Sequence, residues 1–229
     1  MPPPRFVMVA RARAGAARAV CALAFAAVLL AGGCARAVGE TPAAAGANAG
    51  AAQEDAAGLA GRLLVASETM GDPRFRQTVI YMIEHDATGA FGLIVNAPLG
   101  VAPIADLLAR MGQEPAGATG SIAVYYGGPV EEARGFFLHT RDAMPPGSVA
   151  VSDDVAWSAD PRLLRALGAG NGPRHALLAF GYAGWGPGQL ESEMAEGGWF
   201  SIPASNDLVF AAHPSRSWAR AISLRGIDL

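Results

Sequence analysis

Between Arg62 and Phe180 the large apolar residues arrive in short runs of three to six, each closed by glycine, proline or a polar turn. This spacing confines the chain to a sheet-built fold. Arg62–Ala66 (RLLVA) reads as a short buried strand, and Thr78–Ile83 (TVIYMI), β-branched and aromatic, as a central one. Asp86–Gly89 turns the chain back, and Ala90–Val95 (AFGLIV) returns as its hairpin partner. Gly92 inside that strand marks a bulge or a close backbone approach. Asn96–Pro98 stops it. Ile122–Tyr126, Phe136–His139, Val149–Val151 and His175–Phe180 read as further strands. Helices are predicted over Pro103–Met111, where Ile104, Leu107, Leu108 and Met111 share a face, and over Asp160–Leu167, with Asp160 as N-cap and Pro161 in the first turn. Two more are predicted over Gly188–Glu196 and Ser215–Leu224. Hairpins with interspersed helices specify an α+β fold rather than a doubly wound parallel sheet.

Ahead of Leu59 the character changes. Residues 1–19 carry Arg5, Arg11, Arg13 and Arg18 without an acidic residue, and Val20–Leu30 is an unbroken apolar run of eleven. Spanning about 30 Å of hydrocarbon takes about 20 residues, so this run fits a signal-peptide core instead. Ala31-Gly32-Gly33-Cys34 follows at once. The arrangement resembles a lipoprotein-type signal, in which the cysteine becomes the lipidated first residue. Residues 1–33 are therefore expected to be removed, Cys34 to be lipidated, and the protein to sit at the cell envelope on a lipid anchor. With Cys21 discarded, Cys34 has no intrachain disulfide partner. Ordinary secretory cleavage is the alternative, and a later initiator would leave a cytoplasmic protein. Residues 34–58, rich in Ala and Gly and lacking aromatics, read as a flexible tether, and 59–229 as the folded domain.

Removal of the leader also exposes a charge asymmetry. The full chain has a formal charge of −3 with no lysine, but thirteen Arg then face twenty acidic residues, a net of about −7. Nucleic-acid affinity rests on Lys and Arg contacts to phosphates, so no nucleic-acid partner is expected.

Three segments stand out for their residues. The first runs through Asp72-Pro73-Arg74-Phe75 and Glu84-His85 to Gly89-Ala90-Phe91-Gly92-Leu93-Ile94-Val95-Asn96-Ala97-Pro98. The second joins Tyr126-Gly127-Gly128-Pro129-Val130 to Arg134-Gly135-Phe136 and Leu138-His139. The third is Gly181-Tyr182-Ala183-Gly184-Trp185-Gly186, followed by Gly188-Gln189-Leu190-Glu191, Glu193 and Trp199. Together they are similar to the YqgE/AlgH family of bacterial proteins, from which the chain departs at Ala97, where the family usually has Arg. The resemblance implies a small barrel-like, largely antiparallel sheet surrounded by helices, and brings no cofactor with it. Some members are called transcriptional regulators, but no helix-turn-helix with a basic recognition helix is visible here.

The candidate chemistry is sparse. Glu84-His85-Asp86 offers a ligand or a base, yet alternation along a strand puts Glu84 and Asp86 on one side and His85 on the other. His139 reads as a hydrogen-bonded structural histidine or as the partner of Asp142 or His85. There is no G-x-S-x-G elbow, no mature cysteine besides Cys34 and no P-loop, so neither a catalytic residue nor a metal site is assigned. Gly184–Gly188 opens a helix whose free amides suit an anion, beside Tyr182 and Trp185. The reading is a non-enzymatic binding or regulatory domain that recognises an unknown protein or small molecule through Arg134, His139, Tyr182, Trp185 and Gln189. The alternative is a hydrolase-like enzyme using His139, His85 and Glu84. Oligomeric state is not readable from the sequence.

Overall fold

A computed structural model describes residues 58–115 and 117–226. The expected leader, Cys34 and tether lie outside them. The described chain orders as β1 (Arg62–Ala66), β2 (Val79–Asp86), β3 (Gly89–Ile94), β4 (Pro98–Pro103), α1 (Ile104–Arg110), β5 (Ser121–Tyr126), β6 (Val130–Thr140), β7 (Val149–Ala150) and β8 (Val155–Ser158). It continues as α2 (Arg162–Gly168), β9 (Ala176–Trp185), α3 (Gln189–Ala195), β10 (Trp199–Pro203), α4 (Asn206–Val209) and α5 (Ser217–Ser223). The ten strands run β10-β1-β2-β3-β9-β6-β8-β7, with β5 also pairing β9 and β4 added outside β5. Every pairing is antiparallel except β5 with β9. The sheet curls into a half-barrel with a few short helices. The α+β expectation holds, with smaller helices than a surrounding layer would need.

Both faces of the central strands are covered, which is why their sequences are almost continuously apolar. Leu63, Val65, Val79, Tyr81, Leu93, Phe136, Leu138 and Leu177 pack on one face with Leu208, Val209 and Ala221 from α4 and α5. Leu64, Ala66, Ile80, Met82 and Ile94 face the other way, toward Trp185, Leu190 and Trp199. A third cluster joins Phe137 and Leu178 to Ile104 and Leu108 of α1 and Leu163 and Leu164 of α2. Burying each such leucine contributes about 2 kcal/mol.

Four elements were not expected. β4 (PLGVAP) is an edge strand with Leu99 and Val101 64% and 72% exposed, so it carries no buried face to read. β8, β10 and α4 are four or five residues long, too short for a period. Conversely, the bulge expected near Gly92 is present. The β2–β3 register slips between Met82 and Glu84, and a Cβ on Gly92 would lie 2.6 Å from Ile80 Cγ2 and 2.8 Å from the Tyr81 carbonyl oxygen.

β9 holds the two halves of the sheet together. Its first half lies between β5 and β6, and its last three residues pair with β3. Gly181, at φ +74°, separates these halves. Before it, odd-numbered Leu177 and Ala179 face the first cluster; after it, odd-numbered Ala183 and Trp185 face the second, while Tyr182 packs on the first. One left-handed residue thus inverts the alternation, as a bulge does. A Cβ there would collide with the Gly128 carbonyl oxygen, so the two glycine backbones meet where no side chain fits.

Candidate functional site

The end of β9, the start of α3 and the start of β10 converge on one carboxylate, and the 72–75 turn packs against the indoles that reach it. Asp72 accepts hydrogen bonds from the Arg74 backbone N–H at 2.9 Å and from its guanidinium at 2.6 Å. These bonds hold the Asp72 carboxyl below its ordinary range. Both groups are on the surface, where such pairs contribute little stability, so the effect of the turn is positional. It presents the Phe75 ring to two indoles, at 6.5 Å from Trp185 and 5.4 Å from Trp199, which are themselves 5.8 Å apart. Both indole N–H groups donate to Glu193 Oε2, from Trp185 at 3.0 Å and from Trp199 at 2.8 Å. Gln189 Nε2 donates to Glu193 Oε1 at 2.8 Å, and Gln189 Oε1 accepts from the Gly186 amide at 3.1 Å. Glu193 sits four residues after Gln189, one helical turn on, which places both on the same face of α3.

Two shallow hollows flank Trp185, each of about 410 Å³. One is walled by Arg74, Phe75, Trp185, Gln189, Glu193 and Trp199. The other is walled by Glu84, Asp86, Phe91, Tyr182 and Trp185. Val130, Gly184 and Trp185 border both. Glu84 and Asp86 therefore share a side, as alternation required.

Arg134 lies over the Phe136 ring at 5.0 Å and donates to Glu131 at 2.9 Å. Phe136 in turn meets Tyr182 at 5.7 Å, and Phe91 meets Tyr182 at 5.0 Å. Trp185 and Gln189 are thus joined through Glu193, and Arg134 and Tyr182 through Phe136.

His139 is apart from both groups. It is fully buried, with Nδ1 donating to the Thr140 carbonyl at 2.9 Å and Nε2 taking the Ser148 hydroxyl at 2.9 Å. The carbonyl can only accept, which fixes the proton on Nδ1. Burial pushes the His139 pKa down, against the smaller effects of Thr140 and Asp142. These contacts fit the reading of a hydrogen-bonded structural histidine, and the alternative pairing with Asp142 or His85 is not found. Asp142 instead accepts from Thr140 Oγ1 and from the Arg174 backbone N–H and Nε, with the Thr140 bond first in holding its pKa down.

His85 faces the other way as well. Its Nδ1 accepts the Leu59 amide at 3.0 Å, so Nε2 carries the proton and donates to Glu191 Oε1 at 2.9 Å. Glu191 is held below the usual carboxylate range first by its own helix amide and then by His85. His139, His85 and Glu84 are consequently not assembled into an acid–base set. The anion cradle expected at Gly184–Gly188 is also filled, since the Gly186 amide is taken by Gln189 and α3 has only seven residues. Among the described residues no group of three or more His, Cys, Asp or Glu is placed to hold a metal, and no helix is long and apolar enough to cross a membrane.

Sequence reading missed Glu193, Trp199 and Phe75 as members of this site. The spacing of Glu193 from Gln189 was the available signal. Trp199 comes from a strand with no recognisable period.

Residues 63–229 match the model of the family described as DUF179, AlgH-like. A UPF0301 protein of Rhodospirillum rubrum is 41% identical over 170 residues, covering 74% of this chain and 88% of its own. One from Mesorhizobium japonicum is 45% identical over 176 residues, covering 73% and 86%. The solution structure of the AlgH protein from Pseudomonas aeruginosa shares 34% identity at a TM-score of 0.62, covering 76% of this chain and 92% of that one. A Corynebacterium diphtheriae crystal structure, at 22% identity and TM-score 0.58, shares the fold. The half-barrel and the clamp around Glu193 are thus those of a protein that belongs to the AlgH-like family.

Proposed function

We propose that this chain is a non-enzymatic binding or regulatory module, held at the cell envelope by a lipidated Cys34. It recognises a protein or small-molecule partner over the surface around Trp185. The supporting observation is the Glu193 clamp. Three neutral donors meet on one carboxylate and fix two indoles as the rigid wall between two open hollows. Rigid aromatics that lose little entropy on contact suit recognition. The envelope location rests on the basic stretch, the eleven-residue apolar run and the cysteine behind them.

Two measurements test this reading. Mass spectrometry of the membrane fraction should find a mature chain that starts at an acylated Cys34. An intact chain beginning at Met1 in the soluble fraction would refute the location. Photo-crosslinking from Thr88, beside the Glu84 hollow, should trap a discrete adduct in cells that is absent from the same probe at exposed Met111 and lost in Trp185→Ala. Equal labelling from both positions would refute the site.

A further inference from the structure

A separate hollow, of about 360 Å³, opens between the α4 end and α5. Its walls combine the apolar surface of Phe210, Ala211 and Ala212 with His213, Arg216, Ser217 and Arg220. Asp207 is the single acidic wall. We propose that this hollow binds a phosphate-type oxyanion carried on a small apolar body.

Three observations carry this. Arg216 and Arg220 are four residues apart where the backbone is already helical at Arg216, so two cations stand one turn apart and repel. Arg216 makes no ion pair among the described residues, and Arg220 only approaches Asp207, at 3.8 Å, with both side chains mostly in solvent. This gathering of cations occurs in a domain whose net charge is strongly negative. The second observation is Ser217. It is 2% exposed and lines the hollow, and its hydroxyl is the one buried side-chain oxygen or nitrogen without a hydrogen-bond partner among the described residues. Buried hydroxyls are normally satisfied, so an orphan in the lining of a hollow that also carries Arg216 and Arg220 is accounted for by a ligand that supplies its partner. The third is the lining. The Phe210, Ala211 and Ala212 wall gives an apolar substituent a place to lie, and the volume falls in the range of small-ligand sites, about 300–1,000 Å³. Arginine is suited to the anion because its planar fork grips phosphate oxygens in pairs.

The test uses the full chain, titrated in parallel with phenyl phosphate, inorganic phosphate and vesicles containing phosphatidylglycerol. Amide shifts of residues 213–221 are followed by NMR for the two soluble probes, and sedimentation for the vesicles. Phenyl phosphate should bind more tightly than inorganic phosphate, and Arg216→Gln and Arg220→Gln should each weaken it by about tenfold. Ser217→Ala removes an unpaired buried hydroxyl, so it should fold at least as well as the parent and still bind about fivefold more weakly. Vesicle binding that falls in the Arg216→Gln/Arg220→Gln double variant while phenyl phosphate is ignored assigns the same oxyanion to a lipid headgroup. The proposal is overturned if neither phenyl phosphate nor vesicles respond to the arginine substitutions, or if Ser217→Ala binds like the parent.

Discussion

Replacing Glu193 by alanine removes the only described acceptor of two indole N–H groups whose residues, Trp185 and Trp199, are 7% and 4% exposed. A buried donor left without an acceptor costs about 1–3 kcal/mol. Glu193 is half-buried, so water will reach part of the vacated site, and the low end of that range applies to each indole. The loss is then about 2–3 kcal/mol, a large part of the stability of a typical domain at about 5–15 kcal/mol. For a domain of this size it corresponds to a fall in Tm of roughly 5–10 °C. Urea unfolding, followed by tryptophan fluorescence and far-UV circular dichroism, should show a lower midpoint with an unchanged slope. Glu193→Gln offers a sharper comparison. Its carbonyl can still serve both indoles, but its amide faces the Gln189 amide, donor against donor. Flipping Gln189 would abandon the Gly186 N–H. The cost should therefore be intermediate, about 1 kcal/mol. An alanine variant within about 0.5 kcal/mol of the parent, or a glutamine variant worse than alanine, would refute the clamp as an energetic element.

Gly181→Ala places a side chain at φ +74° against the Gly128 carbonyl, so a loss of about 3 kcal/mol or more is expected, visible as collapse of dispersion in a two-dimensional NMR spectrum. His139 supplies a pH dependence. Burial lowers its pKa from the ordinary 6.5, so below that value the unfolded chain takes up a proton that the native state refuses. Stability should fall as pH drops from about 6.5 through the lower native value, and His139→Gln should flatten urea midpoints across this window. Asp72, Asp142 and Asp160 have lowered pKa values, so their contributions are present above the ordinary 3.8 and disappear only as pH falls below it.

The parts of the fold visible in the sequence were those whose burial writes a pattern. β1, β2 and β3 are covered on both faces, and their apolar runs marked them directly. β9 was visible only as far as Phe180, because Gly181 reverses its alternation and the remainder, GYAGW, reads as a glycine corner. β4 has exposed side chains along an edge and carried no signal. The site was legible to the same extent. Trp185 and Gln189 meet through a residue one helical turn away, a local relation, whereas Trp199 reaches the same carboxylate from another strand. His139 was grouped with Arg134 by proximity in sequence. Yet an odd separation from Phe136 along β6 turns it to the opposite face, and burial completes its removal from the site.

The ladder between β1 and β10 joins Arg62 to Pro203, with Ala66 opposite Trp199. The first described strand to leave the ribosome is thus completed by the last, and β9, which joins the two half-sheets, also emerges late. Such distant pairings make for slow closure. During synthesis the early hairpin remains an open template, with a long interval in which the polypeptide stays threadable and needs protection from its neighbours.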